Sequence, residues 1–73
     1  MPRKKEPGLS NCIRELRTAA SGMTQQELAD RVGVTRQTIV ALERGAYTPS
    51  LALAMRVARV FRKTTEEAFR LEE

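Results

Sequence analysis

Apolar residues recur along this chain at three- and four-residue intervals. No stretch alternates apolar with polar for long enough to predict a strand. Ile13, Leu16 and Ala20 share one face of a helix predicted over 11–20, with Ser10 as its N-cap and Arg17 on the same face. Ser21-Gly22 stops it. A second helix opens at Thr24-Gln25-Gln26-Glu27, a capping box in which the Thr24 hydroxyl accepts from the Glu27 N–H while the Glu27 side chain reaches back. Leu28, Ala29 and Val32 form its buried stripe, and Gly33 stands where a left-handed residue ends a helix. Thr35 caps a third helix over 36–43, with Ile39 and Leu42 inward and Gly45 at its end. Ser50 caps a fourth over 51–61, with Ala54, Val57, Ala58 and Phe61 on one packed face. A second capping box, Thr64 with Glu67, starts a short fifth helix that carries Ala68 and Phe69. The prediction is an all-α fold of five short helices around one small core.

Composition narrows the function classes. The chain has 73 residues, no His, no Trp and a single Cys. A domain of this size buries only about 60% of its unfolded surface, which disfavours a deep enclosed active site. Without His there is no Ser-His-Asp triad and no His-ligated metal. Cys12 alone closes no intrachain disulfide and builds no zinc site, so it reads as a small filler on its helix. An enzyme is therefore not expected, nor a metal, nor a cofactor. The longest apolar run, 51–55, is far short of the roughly 20 residues that span a bilayer. The basic start lacks the apolar segment of a secretory signal. With the lone thiol, this points to the cytoplasm.

Charge then divides the chain. Residues 1–63 hold twelve basic and five acidic groups, and 64–73 hold one and four, within an overall charge of +4. Three segments follow. Residues 1–9, with Arg3, Lys4 and Lys5 among Pro and Gly, form a flexible basic arm. Residues 10–69 form the domain, and 70–73 an acidic tail. A basic body favours an anionic partner.

The second and third helices meet through Gly33-Val34-Thr35, the short turn of a helix-turn-helix. A B-form major groove is about 12 Å wide and admits one α-helix, braced by its neighbour across the phosphates. Turning 100° per residue sets Gln37, Val40, Ala41 and Arg44 opposite the inward face of the third helix, with Arg36 on the flank. Arg matches the O6/N7 edge of guanine and Gln the N6/N7 edge of adenine, while Val and Ala suit a thymine methyl.

The linked set Thr24-Gln25-Gln26-Glu27-Leu28-Ala29, Val32-Gly33-Val34-Thr35-Arg36-Gln37-Thr38-Ile39, Leu42-Glu43-Arg44-Gly45 and Pro49-Ser50-Leu51 closely resembles the Cro and phage-repressor type of helix-turn-helix regulator, the XRE family. The resemblance covers residues 11–69. It implies a five-helix, lambda-repressor-like DNA-binding domain that acts as a dimer on paired half-sites. It implies base reading by Arg36, Gln37 and Val40, with Ala41 beside them smaller than many family residues there. Thr35, Thr38, Arg44 and Tyr47 fall where backbone contacts are common. Gln25 falls where a phosphate is held and the first residue of the third helix is braced. Arg17 with Glu43 resembles the family's ion pair between the first and third helices, and both lie on otherwise apolar faces where an unpaired charge is costly. Two departures carry expectations. One residue more than usual between Leu16 and Gly22 predicts a bulged first turn. Arg62-Lys63, in place of Gly and an apolar residue, predicts that the fourth helix runs on.

Met55, Val60, Phe69 and Leu71 exceed what one small core needs, which predicts a homodimer seam. Arg56, Arg59 and Lys63 form a stripe read as a solvated face, with a second phosphate strip as the other reading. The expected function is a sequence-specific regulator of transcription that binds double-stranded DNA, leaning to a repressor that works by occupancy. The rival is an antitoxin-like module that binds a toxin partner and its own operator. RNA binding ranks lower, because the chain lacks an aromatic platform for single-stranded bases.

Overall fold

The computed structural model describes residues 8–72. Its elements run β1 (Leu9–Asn11), α1 (Ile13–Ala19), α2 (Gln25–Val32), α3 (Arg36–Glu43), α4 (Leu51–Val60), α5 (Thr65–Ala68) and β2 (Phe69–Leu71). The five expected helices are present, and four of their starts follow from side-chain chemistry alone. Thr24 and Thr64 each accept from the N–H three residues on, and Glu27 and Glu67 each return a carboxylate to the cap N–H, closing both capping boxes. Thr35 and Ser50 cap α3 and α4 through Thr38 and Leu53.

Ile13, Leu28, Ile39, Leu42 and Val57 are fully buried, so α1, α2, α3 and α4 all contribute to the core. Burying each such side chain is worth about 1.5–3 kcal/mol. α2 packs against both α3 and α4, and α4 carries α5. Ala29, Ala54, Ala58 and Ala68 are small enough to let these short helices approach closely around Phe69 and Leu53.

The chain ends depart from the expectation. β1 and β2 form an antiparallel pair with Leu9 opposite Leu71, Ser10 opposite Arg70 and Asn11 opposite Phe69. Cys12 N–H donates to the Ala68 carbonyl at 3.1 Å and Glu72 N–H to the Gly8 carbonyl at 2.8 Å, extending the ladder both ways. Ser10 therefore lies in a strand and caps nothing. α1 starts two residues later than expected, behind Cys12, and the Asn11 side-chain oxygen accepts from the Ile13 N–H at 3.1 Å. Phe69 is extended, at φ −128° and ψ 150°, and leaves α5 to drive its ring into the core. Leu9 and residues 70–71 thus belong to the folded unit, inside the segments expected as arm and tail. Arg3, Lys4 and Lys5 of the arm lie outside the described residues.

Between α1 and α2 the expected bulge takes the form of two consecutive left-handed residues, Ser21 at φ 61° and Gly22 at φ 72°. α4, by contrast, does not run on. It ends as α2 and α3 do, in a turn where one N–H reaches the carbonyl five residues back. Val34 reaches Ala29, Ala46 reaches Ala41 and Lys63 reaches Ala58, at 3.0–3.1 Å. That turn needs one left-handed residue. Gly33 and Gly45 supply it without a Cβ clash, but after α4 the residue is Arg62, at φ 58°. A side chain there costs about 1–2 kcal/mol, and Gly gives back part of that as chain entropy. Arg62→Gly is expected to stabilise the fold by about 0.5–1 kcal/mol, a rise of about 4 °C in melting midpoint for a domain of this size. Thermal unfolding followed by circular dichroism reads this directly, and a lowered midpoint would refute it.

Candidate nucleic-acid interface

The short turn at Gly33-Val34 sends the chain from α2 straight into α3, and the core holds α3 by Ile39 and Leu42. Its opposite side is left free. Arg36, Gln37, Arg44 and Tyr47 are exposed, and Val40 and Ala41 are half-buried between them. The Thr35 and Thr38 hydroxyls lie 3.1 Å apart, and the Thr35 oxygen also accepts from the Thr38 N–H. These two side chains are spent first on shaping the start of α3.

One ion pair joins α1 to the end of α3. Arg17 Nε and Nη2 donate to the two Glu43 carboxylate oxygens at 2.6 and 3.0 Å, a bidentate fork. Arg17 Nη1 donates to the Met23 carbonyl at 2.7 Å, and Gln25 Nε2 donates to Glu43 at 3.1 Å. The side chains of Arg17 and Glu43 are only 13% and 6% exposed. Burial alone would raise the Glu43 pKa. The hydrogen bonds from Arg17 and Gln25, with the charges of Arg17 and Arg14, overcome it and hold the carboxyl below its usual range. The Glu43 hydrogen bond correspondingly raises the Arg17 pKa against the opposing effect of burial. The expected pairing is present, but Gln25 braces the last residue of α3, Glu43, and not the first.

These elements enclose an open groove lined by Arg14 and Arg17 of α1, Thr24, Gln25 and Gln26 at the start of α2, and Arg36, Val40, Glu43 and Arg44 along α3. Four arginines face one glutamate there. Arg17–Glu43 is the single ion pair among the described residues, so Arg14, Arg36 and Arg44 have no acid partner there. No cluster of three potential metal ligands occurs among the described residues, and no helix there is long and apolar enough to cross a membrane.

Two positioning contacts carry no sequence signal. Asn11 Nδ2 donates to the Leu42 carbonyl at 2.9 Å, tying the strand pair to the end of α3 across 31 residues. Arg56 Nε donates to the Val32 carbonyl at 3.2 Å, so one member of the presumed solvated stripe closes the end of α2. The residues expected at a dimer seam separate. Met55 and Leu71 are exposed, Val60 packs half-buried against the core, and Phe69 is buried inside the chain's own core. Phe69 is therefore occupied within the monomer. Leu51, one turn before Met55 on α4, is exposed and did not stand out in the sequence because it opens its helix.

A braced helix with an exposed polar face above a basic groove defines a helix-turn-helix DNA-binding domain. A helix-turn-helix family model matches residues 13–67, and the chain belongs to that family, in its XRE-type branch. It is 62% identical over 53 residues to an uncharacterized HTH-type transcriptional regulator of Methanothermobacter thermautotrophicus, covering 71% of this chain and 77% of that one. It is 46% identical over 65 residues to the uncharacterized HTH-type transcriptional regulator YgzD of Bacillus subtilis, covering 89% and 97%. Among solved structures it is similar to the restriction-modification controller protein C.AhdI of Aeromonas hydrophila, with TM-score 0.67 and 34% identity over 75% of this chain and 82% of that one. The chain is a transcriptional regulator with a helix-turn-helix DNA-binding domain, and not an enzyme.

Proposed function

We propose that this regulator is a cytoplasmic repressor that binds double-stranded DNA in a sequence-specific manner as a homodimer, with α3 in the major groove. The exposed face of α3 carries the reading. Arg36 and Gln37 project beside half-buried Val40 and Ala41, and no acid pairs with Arg36 or Arg44 among the described residues. Arg36, Gln37, Val40 and Ala41 read bases, while Gln25, Thr35, Thr38, Arg44 and Tyr47 hold phosphates on either side. Met55 and Leu71, with Leu51, are the exposed apolar side chains available to a second copy. On this reading the domain represses by occupying its site.

Selection of the full chain on random duplex DNA tests the reading. The expected product is an enriched motif with two-fold symmetry, its half-sites about 10 bp apart from centre to centre. An asymmetric motif would remove the homodimer. No enrichment at all would remove DNA reading and leave only the protein-partner half of the antitoxin-like alternative, whose own operator would otherwise be enriched.

A further inference from the structure

Arg14 has no part in the sequence-level assignment of the DNA surface. It sits in the first turn of α1, one position round from the face that holds Ile13 and Arg17, and its side chain is exposed. Its guanidinium makes no hydrogen bond or ion pair with any described residue. It nevertheless lines the same groove as Gln25, Arg36 and Arg44, on the wall opposite α3. Arg17, nearer the core, is consumed by Glu43, so the one acid in the groove is already neutralised and offers Arg14 no competing partner. Arginine side chains are frequent donors to phosphate oxygens, and Arg14 stands off the α3 face that carries the base-reading candidates.

We infer that Arg14 is a phosphate clamp supplied by α1, holding the DNA backbone across the groove from Arg36 and Arg44. The inference rests on the DNA-binding reading above. It makes α1 a third contributing element beside α2 and α3, and it predicts one more released counterion than the helix-turn-helix alone provides.

The test measures dissociation constants of the full chain for a selected duplex and a random duplex, from low to moderate NaCl concentration. Each lost phosphate contact lowers the log–log salt slope by about 0.9. Arg14→Ala is expected to reduce the slope by that amount and to weaken both duplexes alike, roughly fivefold near physiological salt. Arg14→Lys is expected to keep the slope. Arg59→Ala, which removes the same charge from the exposed face of α4, is expected to leave it unchanged. Because Arg14 is exposed and makes no bond within the described residues, Arg14→Ala is expected to melt as the parent does, and Arg14→Gln repeats the measurement if it does not. A slope unchanged by Arg14→Ala and Arg14→Gln, but lowered by Arg44→Ala, overturns the clamp and leaves the DNA-binding reading intact. Equal slope losses from Arg14→Ala and Arg59→Ala also overturn it, since they reduce the effect to net charge. A parent chain whose duplex binding does not depend on salt overturns both.

Discussion

Arg17→Met, with Glu43 left in place, is expected to cost about 3–5 kcal/mol of folding stability at neutral pH, because it strands a buried carboxylate. At roughly 0.05–0.15 kcal/mol per residue, the whole domain holds only about 4–11 kcal/mol. The variant should therefore be partly or largely unfolded at 37 °C. The loss is not simply that of one salt bridge. Arg17 also satisfies the Met23 carbonyl, and Glu43 anchors Gln25, so one side chain ties the first turn, the start of α2 and the end of α3 together. Arg17→Met combined with Glu43→Leu should recover a large part of the stability, since apolar groups of similar volume need no partner there.

The pH dependence distinguishes this mechanism from a packing defect. In the parent chain the Glu43 carboxyl is held below its unfolded value. Its contribution is therefore present above about pH 4.3 and is lost as the pH falls through the folded value. Without Arg17, burial dominates and raises the folded value, so the folded variant takes up a proton more readily and is relieved by acid. Glu27 and Glu67 are held low in both proteins, mainly by the backbone N–H groups of Thr24 and Thr64. Their share of the acid loss cancels in the comparison. The stability gap between parent and variant, measured by urea unfolding, should narrow from pH 7 to pH 3.5. A gap that stays constant would assign the loss to packing.

Arg36→Ala is expected to leave stability unchanged and to cost about 1–3 kcal/mol of binding on the preferred duplex, roughly 5- to 150-fold, with relaxed preference at one base pair. Arg36 is exposed and has no acid partner among the described residues, so little in the fold depends on it. Arg44→Ala should act differently. Standing at the C-cap of α3, where a helix leaves the groove floor, it should weaken preferred and random duplexes alike and flatten the salt slope. Binding measured on a panel of single-base variants separates the two roles. If Arg36→Ala lowered every duplex equally, that side chain would hold phosphate and Gln37 would become the principal reader.

Most of the local architecture was legible in the residues, because its causes lie within four positions of each other. Thr24 with Glu27, Thr64 with Glu67, Thr35 and Ser50 each mark a helix start by a hydrogen bond that short spacing guarantees. Gly33 and Gly45 mark helix ends because a left-handed turn tolerates them best. Arg17 with Glu43 was legible for a different reason. The resemblance to the XRE family implied the pair, and the periodicity agreed, since both residues lie on otherwise apolar faces where an unpaired charge is costly. Arg62 misled for the same local logic, since a non-glycine residue does not advertise that it will take the left-handed position.

The remainder was decided by contacts between residues far apart in the chain. Asn11 and Phe69 pair across 58 positions, in strands three residues long, which is too short for any alternation to show. Phe69 moved from a supposed seam into the core because the strand that carries it is pulled back against β1. Gln25 could have met either end of α3, and the angle at which α2 packs on α3 brought it to Glu43. Arg14 is an ordinary surface arginine until α1 is laid beside α3. Linear spacing thus determined which helices form and which faces they bury. How those helices are set against one another determined which charges are consumed and which remain free, because pairing depends on distance in space and not along the chain.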